Sequence, residues 1–386
     1  MNINEGKGPL AGVKIVEMEG IGPAPLAAML LADLGADVIR IERTAESGIG
    51  IARPREFDFA TRGRTPVSVD LKSEEGKAFA LGLIAQADGL IEGFRPGVME
   101  RLGLGPGPCL RLNPRLAFGR LTGWGQAGPL ARTAGHDLNY LALSGVLDRL
   151  GRAGSPPTPP INLLGDYAGG SMLMAFGLLA AILSARTTGR GQVVDAAMID
   201  GISLLAIPVL GLIGAGIHDR GRGENLLDTG APHYDVYPCA DGAYISVAAI
   251  EPKFRVQLLT GLGFDPNGFP DVARRENWAE ARRLIAERIA SRPRTHWIDI
   301  FGGTDACVAP VLTFEEAIAH PHTMARASYV EIDGKIQPAP GPRFSETPAS
   351  CPTGPQPDRR QIDRALTRWG IEPDRVAELR RTGTLL

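Results

Sequence analysis

The sequence predicts an α/β protein in which a Rossmann-like large domain is joined to a smaller α+β domain. In the first hundred residues, short apolar segments alternate with helical ones, a pattern typical of βαβ units and a parallel sheet. From about residue 151, a Gly/Pro-rich loop and long apolar helices replace this alternation. The length of 386 residues also exceeds what one small core needs.

The first βαβ unit follows from the order of apolar and turn residues. Residues 13–18 form an apolar run that predicts a strand, and residues 20–25 form a tight loop of glycine and proline. Residues 25–34 predict a helix that ends at Gly35, because glycine readily takes the left-handed conformation that closes a helix. Residues 37–42 alternate as a second strand.

The following elements extend the same pattern. Residues 67–71 predict a strand, and Ser73 suits the N-cap of a helix that runs to residue 86, since its hydroxyl can accept a first-turn N–H. Residues 89–94 predict another strand. Pro96 suits the first position of the short helix that follows, because proline needs no N–H partner there.

The predicted domain boundaries follow changes in composition. A charged, glycine-rich stretch separates the apolar helices from a block in which residues 234–238 and 243–249 predict paired strands. Residues 359–381 are amphipathic and are expected to pack back on the first domain. The predicted division is a large Rossmann-like domain (1–200), a linker (201–230), a small domain (231–325) and a C-terminal return to the large domain (326–386).

Composition argues against several classes of function. A net charge of −2 gives no general attraction for nucleic acid or for an anionic membrane. The four cysteines form no CxxC pair, which argues against a zinc site, and no signal peptide is recognised. The apolar stretches at 168–185 and 201–217 lack basic flanks and are interpreted as buried helices. We therefore expect a cytoplasmic protein without a metal site.

The loop at residues 20–25 resembles the glycine-rich fingerprint of dinucleotide-binding domains but departs from it. Glu42 lies about twenty residues further on, where an NAD-binding protein places an acid for the ribose. However, Pro25 occupies the position of the third glycine, and Arg43 follows the acid. The loop therefore favours another nucleotide over NAD, and coenzyme A (CoA), with its adenine and pyrophosphate, is such a ligand.

His136 is the first candidate for a catalytic group. It follows the glycine-rich loop at 122–126 and opens an apolar run, which predicts the start of a helix. The helix dipole there favours a neutral imidazole, which suits a base, and first-turn N–H groups could hold a developing oxyanion. A capping or core histidine is the structural alternative.

Two acidic residues are the other candidates. Asp166 precedes an apolar helix as an N-cap, a base or a nucleophile, and Asn162 could hold it by a hydrogen bond. Glu251 follows an apolar strand, where a solvated strand-end acid is the alternative. Removal of a proton beside a thioester carbonyl requires a base and stabilisation of the enolate oxygen, and inversion of that carbon requires a second acid/base group on the opposite face. One histidine and one carboxylate could supply that pair.

The motifs and their order resemble the family III CoA-transferase (CaiB/BaiF) superfamily over nearly the whole chain. The resemblance is densest in segments 20–23, 32–38, 95–98, 101–105, 122–126, 135–137, 165–166, 191–198 and 249–252. It implies the fold of that family and an interlocked homodimer whose active site is shared between the chains. It also implies an acyl-CoA substrate and no cofactor, because CoA is part of the substrate.

Within this superfamily, the resemblance is to racemases of 2-methylacyl-CoA thioesters. It implies that His136 and Asp166 act as the two bases through an enolate, and that Glu251 orients the histidine. The first alternative is a CoA-transferase in which Asp166 is the acyl-accepting nucleophile. The second is an acyl-CoA or nucleotide binding protein without catalysis, and the presence of all three residues argues against it.

The resemblance also implies roles for the residues around these bases. The backbone N–H of Asp137 would meet the thioester oxygen, Asn162 would support Asp166, and Tyr140 would lie beside them. His233 stands where an aromatic residue is expected, which affects the acyl pocket. The residues implied to line the substrate and CoA site are Ile21, Arg43, Val69, Asp70, Leu71, Lys72, Gly93, Phe94, Arg95, Arg101, Gly135, Leu138 and Asn139.

Overall fold

The described part of the chain, residues 7–45 and 48–385 of this computed structural model, forms two compact units. The first unit contains the chain up to Ser144, Ile161–Leu205 and the chain from Met324 onward. The second contains Gly145–Pro160 and Ala206–Thr323. The loop at 145–160 therefore belongs to the second unit although it lies within the predicted large domain.

The first unit is built on a six-stranded parallel sheet. Its strands are β1 (Lys14–Met18), β2 (Asp37–Glu42), β3 (Thr65–Ser68), β4 (Gly89–Glu92), β5 (Ala117–Thr122) and β6 (Gln192–Ala197). Their order is β3-β2-β1-β4-β5-β6, which is the strand order of the Rossmann fold, and each neighbouring pair is parallel. The predicted α/β class is confirmed.

Helices cover both faces of this sheet. They are α1 (Pro23–Asp33), α2 (Glu74–Ile84), α3 (Val98–Arg101), α4 (Pro106–Leu112), α5 (Asp137–Leu143), a π-helix (Leu163–Met172), α6 (Leu173–Thr188) and α7 (Met198–Leu205). Adjacent residues of a strand face opposite sides of the sheet. A Cβ on Gly119 of β5 would lie 2.7 Å from Met174 Sδ of α6, whereas Phe118 belongs to the core that contains Phe79 and Leu83 of α2.

Several predicted boundaries in this unit are wrong: the strand predicted at 89–94 ends at Glu92, and the helix predicted to run to residue 86 ends at Ile84. Two further errors have a local reason. The strand predicted at 67–71 ends at Ser68, because its partner β2 ends opposite it at Glu42 and the chain then turns. Pro96 is not the first residue of α3, which starts after Gly97, a residue with φ 89°. The predicted N-cap Ser73 is confirmed, since its Oγ accepts the Gly76 N–H at 3.0 Å.

The second unit combines a small antiparallel sheet with helices, as the predicted α+β class requires. Its strands are β7 (Tyr234–Pro238), β8 (Tyr244–Ala248) and β9 (Val308–Val311), in that order. Its helices are α8 (Ile207–Gly214), α9 (Pro252–Gly261), α10 (Trp278–Ile289), α11 (Arg294–Phe301), α12 (Phe314–Ala319) and α13 (Pro321–Ala325). The predicted linker at 201–230 thus includes all of α8.

The C-terminal segment completes the core of the first unit. It contains the hairpin β10 (Tyr329–Ile332) and β11 (Lys335–Pro338), followed by α14 (Arg359–Arg368) and α15 (Pro373–Arg381). Leu366 and Trp369 are fully buried in the same cluster as Val67 of β3 and Leu83 of α2. The expectation that the amphipathic tail packs on the first domain is confirmed.

The apolar stretches are less buried than the sequence predicts. The run Leu163–Thr188, formed by the π-helix and α6, is long and apolar enough to span a membrane by length and composition, and half of its most apolar window is buried. Its outer side exposes Phe176 and Leu183 by 73% and 68%. Helix α8 has no buried residue, so the prediction of a buried helix at 201–217 is wrong within this chain.

We expect Leu366→Ala to lower the free energy of unfolding by about 2–5 kcal/mol, the usual range for truncating a fully buried leucine. Urea unfolding followed by circular dichroism measures this change. Arg364→Ala, on the exposed side of the same helix, should stay within about 0.5 kcal/mol of wild type. Equal effects of the two variants would contradict the role of the tail in the core.

Candidate active site

The carboxyl edge of the parallel sheet gathers most residues of the predicted site. The strand order reverses between β1 and β4, and ligands of such sheets bind in the crevice at this point. The loop after β1 holds Ile21, β2 leads into Arg43, β3 into the segment 69–72, and β4 into the segment 93–95. These segments come from distant parts of the chain, and the strands bring them to one edge.

The segment 69–72 reaches this edge with few side chains free to bind a ligand. Val69 is buried, and Leu71 packs partly against the same core. Lys72 is exposed, and its N–H donates to Asp70 Oδ1 at 3.0 Å. Glu42, the acid considered for an NAD ribose, accepts from Arg55 at 2.8 and 2.9 Å, so it is already engaged.

His136 lies at the start of α5, as predicted. It is the N-cap residue with extended backbone angles, and its side chain is exposed. Its N–H donates to Asn139 Oδ1 at 3.0 Å, so the predicted binding residue Asn139 also fixes the histidine backbone. Leu138, the second residue of the helix, is exposed beside it.

Tyr140 anchors the loop in front of His136. Its hydroxyl donates to the Gly135 carbonyl, and its ring packs edge-on against Trp124 with a centroid distance of 4.7 Å. A Cβ on Gly123 would lie 2.0 Å from Tyr140 Cζ, so the glycine leaves the space that the ring fills. Burial first, then the charge of Asp166, raises the pKa of Tyr140 to about 12, and its hydroxyl stays a donor at neutral pH.

Asp166 lies within the π-helix, three residues after its start. The prediction of an N-cap aspartate is therefore wrong, because the helix begins at Leu163 and Asn162 precedes it. Asn162 Nδ2 donates to Asp166 Oδ2 at 3.1 Å, as predicted. The Asp166 N–H donates to Asp137 Oδ1 at 2.8 Å, so the buried Asp137 joins the two segments that carry the candidate bases.

The surroundings of the Asp166 carboxyl raise its pKa. Burial is the largest cause, and the negative charge of Asp137 acts in the same direction. The hydrogen bond from Asn162 and the positive charge of a protonated His136 act in the opposite direction. Asp166 therefore holds a proton more readily than an exposed aspartate, and His136 is close enough to influence it.

The π-helix is tied to the loop after β1 by a residue that the sequence did not single out. Ser171, fully buried, donates to the Pro23 carbonyl at 2.8 Å and to the Asp166 carbonyl at 3.3 Å. A Cβ on Gly22 would lie 3.5 Å from Asp166 Oδ2. The segment at residues 20–25, predicted to bind a nucleotide, is thus hydrogen-bonded to the helix that carries the candidate base. π-Helical turns are frequent at functional sites.

The loop after β4 is held by two further residues that sequence reasoning missed. Glu92 Oε2 accepts the Phe94 N–H at 2.7 Å, and the Arg43 guanidinium lies 5.9 Å from the Phe94 ring centroid. Arg120 Nε donates to Glu92 Oε1 at 2.9 Å. Burial raises the pKa of Glu92 to about 7, although both hydrogen bonds favour its charged form. An arginine and a glutamate on adjacent strands are the signal that could have identified this pair.

Glu251 and His233 belong to the second unit. Glu251 is exposed and is the N-cap residue of α9. It therefore begins a helix as well as following a strand. His233 is buried, and its carbonyl accepts the Ala249 N–H at 2.9 Å. Burial, followed by the charge of Arg255, lowers the pKa of His233 to about 4. His233 is therefore a neutral buried imidazole, and its Nδ1 has no hydrogen-bond partner among the described residues.

The first unit therefore brings together His136, Asp137, Asn162 and Asp166, whereas Glu251 lies in the other unit. Among residues 7–45 and 48–385, no group of three or more His, Cys, Asp or Glu side chains is placed to hold a metal ion. The fold and this site define an α/β enzyme of the Rossmann type with a histidine and an aspartate at the carboxyl edge of its sheet.

Comparison with known proteins identifies the family. The model of CoA-transferase family III matches residues 10–361. Alpha-methylacyl-CoA racemase of Mus musculus is 41% identical over 374 residues, 96% of each chain. The protein of that name from Homo sapiens is 42% identical and covers 88% of this chain and 87% of its own. The chain belongs to CoA-transferase family III.

A solved structure supports the same assignment of fold. The crystal structure of a CaiB/BaiF family protein from Brucella suis has a TM-score of 0.78 with this chain at 26% sequence identity. The match covers 94% of this chain and 99% of the other. The predicted family III CoA-transferase fold is therefore confirmed.

We expect Gly165→Ala to remove most activity, because the added Cβ would lie 2.4 Å from Asp137 Oδ1 and displace the carboxylate that holds the Asp166 N–H. Turnover and thermal unfolding of the purified variant measure the effect. Gly82→Ala is the matched control in α2, where no atom lies within 4 Å of the added Cβ. It should keep full activity and gain up to about 1 kcal/mol. Normal activity of Gly165→Ala would show that this packing is not required.

Proposed function

We propose that this protein interconverts the (R) and (S) forms of 2-methylacyl-CoA thioesters by moving the α-proton through an enolate. The observation that carries this proposal is the pairing of His136 with Asp166, whose backbones are joined through Asp137. The two relatives named alpha-methylacyl-CoA racemase, at 41% and 42% identity, support it. The proposal needs no cofactor, because CoA is part of the substrate.

The proposed reaction uses the two bases from opposite faces of the α-carbon. Neutral His136 would remove the α-proton of one enantiomer, for which the family resemblance suggests the (S) form, and the electron pair would move to the thioester oxygen. The backbone N–H of Asp137 would donate to that oxygen. Protonated Asp166 would then deliver its proton to the other face, which inverts the carbon. In the reverse direction the two groups exchange roles.

Two features of Asp166 support its part in this reaction. A carboxyl that delivers a proton must first hold one, and the raised pKa of Asp166 favours that state. The hydrogen bond from Asn162 occupies Oδ2, which fixes the orientation of the carboxyl. In the homodimer proposed below, the partner subunit's Glu251 would orient His136. Tyr140 would keep the loop at Gly135 in place.

The CoA moiety would lie along the carboxyl edge of the sheet. Arg43, Lys72, Arg95 and Arg101 are exposed there and offer positive charge to phosphate groups. Phe94, beneath the Arg43 guanidinium, offers an aromatic face to the adenine. The backbone of Gly93 is exposed, so a ligand could approach it closely. Ile21 and the segment 69–72 would complete this surface.

The family also contains CoA-transferases, in which Asp166 would attack the thioester as a nucleophile. That reaction has no need of the histidine at position 136. The presence of His136 at the start of α5, with Asp166 near it, favours the racemase. The exchange of hydrogen at the α-carbon distinguishes the two reactions, because acyl transfer leaves that carbon untouched.

We expect each enantiomer of a 2-methylacyl-CoA to racemise in deuterated water with deuterium at the α-position, measured by NMR. His136→Ala and Asp166→Ala should each lower the rate by about 10²–10⁴-fold, the usual contribution of a general acid–base group. The exposed residues His322 and Asp374 serve as controls when changed to alanine.

Two outcomes would contradict this proposal. Transfer of CoA to an added carboxylic acid, without deuterium at the α-carbon, would favour the transferase. Full racemisation by His136→Ala would exclude the two-base scheme while leaving an acyl-CoA substrate in place.

We also propose a homodimer in which the active site is shared between chains. The outer side of the π-helix and α6 carries an apolar stripe of Met172, Phe176, Ala180 and Leu183, all exposed in the single chain. Met172, Phe176 and Leu183 are 56%, 73% and 68% exposed. Such a stripe on a soluble protein marks a contact surface, and a second copy of this chain would cover it.

We expect Phe176→Glu to shift the protein from dimer to monomer, because a buried unpaired carboxylate in the contact would be strongly unfavourable. Sedimentation velocity or light scattering measures the mass. Leu112→Glu, at the end of α4 on the other face of the sheet, should leave the mass unchanged. A wild-type monomer would refute the dimer, and an unchanged dimer of Phe176→Glu would refute this surface.

A further inference from the structure

We propose that Arg120 is a positioning residue for CoA, which it serves by holding the loop after β4 and helix α3 without touching the ligand. The inference rests on the proposed function, in which CoA lies along Phe94, Arg95 and Arg101. Arg120 lies on β5, where its neighbour in the register is Glu92 at the end of β4. It is buried, with 7% of its surface exposed.

The guanidinium of Arg120 connects two carboxylates that belong to different elements. Its Nε donates to Glu92 Oε1 at 2.9 Å. Its Nη1 and Nη2 donate to the two carboxylate oxygens of Glu100 in α3 at 2.8 and 3.2 Å. This bidentate geometry fixes both the distance and the orientation of Glu100, which a single point charge would not do.

Each of these carboxylates either binds or directly precedes a residue that is proposed to contact CoA. The second oxygen of Glu92 accepts the Phe94 N–H at 2.7 Å, and the Phe94 ring lies under the Arg43 guanidinium. Glu100 precedes Arg101, and a Cβ on Gly105 would lie 2.9 Å from Glu100 Cγ, so little space remains for Glu100 to move. The buried guanidinium of Arg120 therefore holds both the loop after β4 and helix α3.

A purely structural ion pair is the simpler interpretation, and the identity of the groups that Arg120 binds argues against it. Removing one partner of a buried ion pair is destabilising wherever the pair lies, so Arg120→Met and Arg62→Met should both lower the melting temperature. Arg120 differs from Arg62 in the groups that it orients. Those groups end at the surface that would contact CoA, whereas Arg62, an equally buried arginine, binds Asp33 at the opposite edge of the sheet.

The test compares Arg120→Met with Arg120→Lys, using calorimetry with free CoA and steady-state kinetics with a 2-methylacyl-CoA. We expect Arg120→Met to raise the Kd for CoA and the KM by about tenfold, as loss of an orienting partner does at metal sites, with kcat within about twofold. Arg120→Lys should fall between this variant and wild type, because lysine can keep one carboxylate contact. Arg62→Met should lower the melting temperature without changing the Kd.

The outcomes separate this inference from the proposed function. If Arg43→Met weakens CoA binding and Arg120→Met binds as wild type does, the positioning role is overturned and the CoA site stands. If neither variant changes the Kd, the proposed CoA site is wrong, and the inference fails with it. Should Arg120→Met not fold, Glu100→Gln, on a partly exposed residue, tests the same connection, and an unchanged KM would overturn it.

Discussion

The hydrogen bond from the Asp166 N–H to the Asp137 carboxylate is the contact on which the candidate site depends. Asp137 follows His136 directly, so this bond links the two segments that carry the candidate bases. The carboxylate is buried, and a buried charge is tolerated only when it is well bonded. Gly165 provides the space for it, because any larger residue would occupy the position of the carboxylate oxygen.

The parallel sheet places this local contact at the edge where a large ligand would bind. Parallel strands end at one edge, and the reversal of strand order between β1 and β4 opens a crevice there. The segment after β1 is bonded to the π-helix through Pro23 and Ser171, and the loop after β4 is held by Glu92 and Arg120. The loops after these two neighbouring strands are thus each held by a separate set of hydrogen bonds.

Sequence patterns predicted the elements whose signals are local. The periodicity of β1, β2 and β7, the N-cap Ser73 and the helix start at His136 all depend on residues close in the chain. The π-helix around Asp166 was not predictable in this way. Its contacts, through Ser171 and the small residues around it, join parts of the chain far apart in sequence and leave no local signal.

The same reasoning applies to the charged residues. Arg120 and Glu92 carry no motif, and their pairing appears only when β4 and β5 are placed side by side. The exposure of α8 could not be inferred from its apolar sequence, because hydrophobicity alone does not say where a helix packs in the fold. Candidate site residues could therefore be named from a single sequence more readily than the residues that hold them in place.

The division of the chain has a consequence for its synthesis. The core beside β2 and β3 is completed by Leu366 and Trp369, which lie near the other end of the printed sequence. Translation at about 5–20 residues per second leaves this apolar face uncovered for roughly 15–65 seconds, until Leu366 and Trp369 have been synthesised. A nascent chain with an open apolar sheet is prone to aggregate, so the yield of native protein should depend on chaperones that shield the first strands until the last helices emerge.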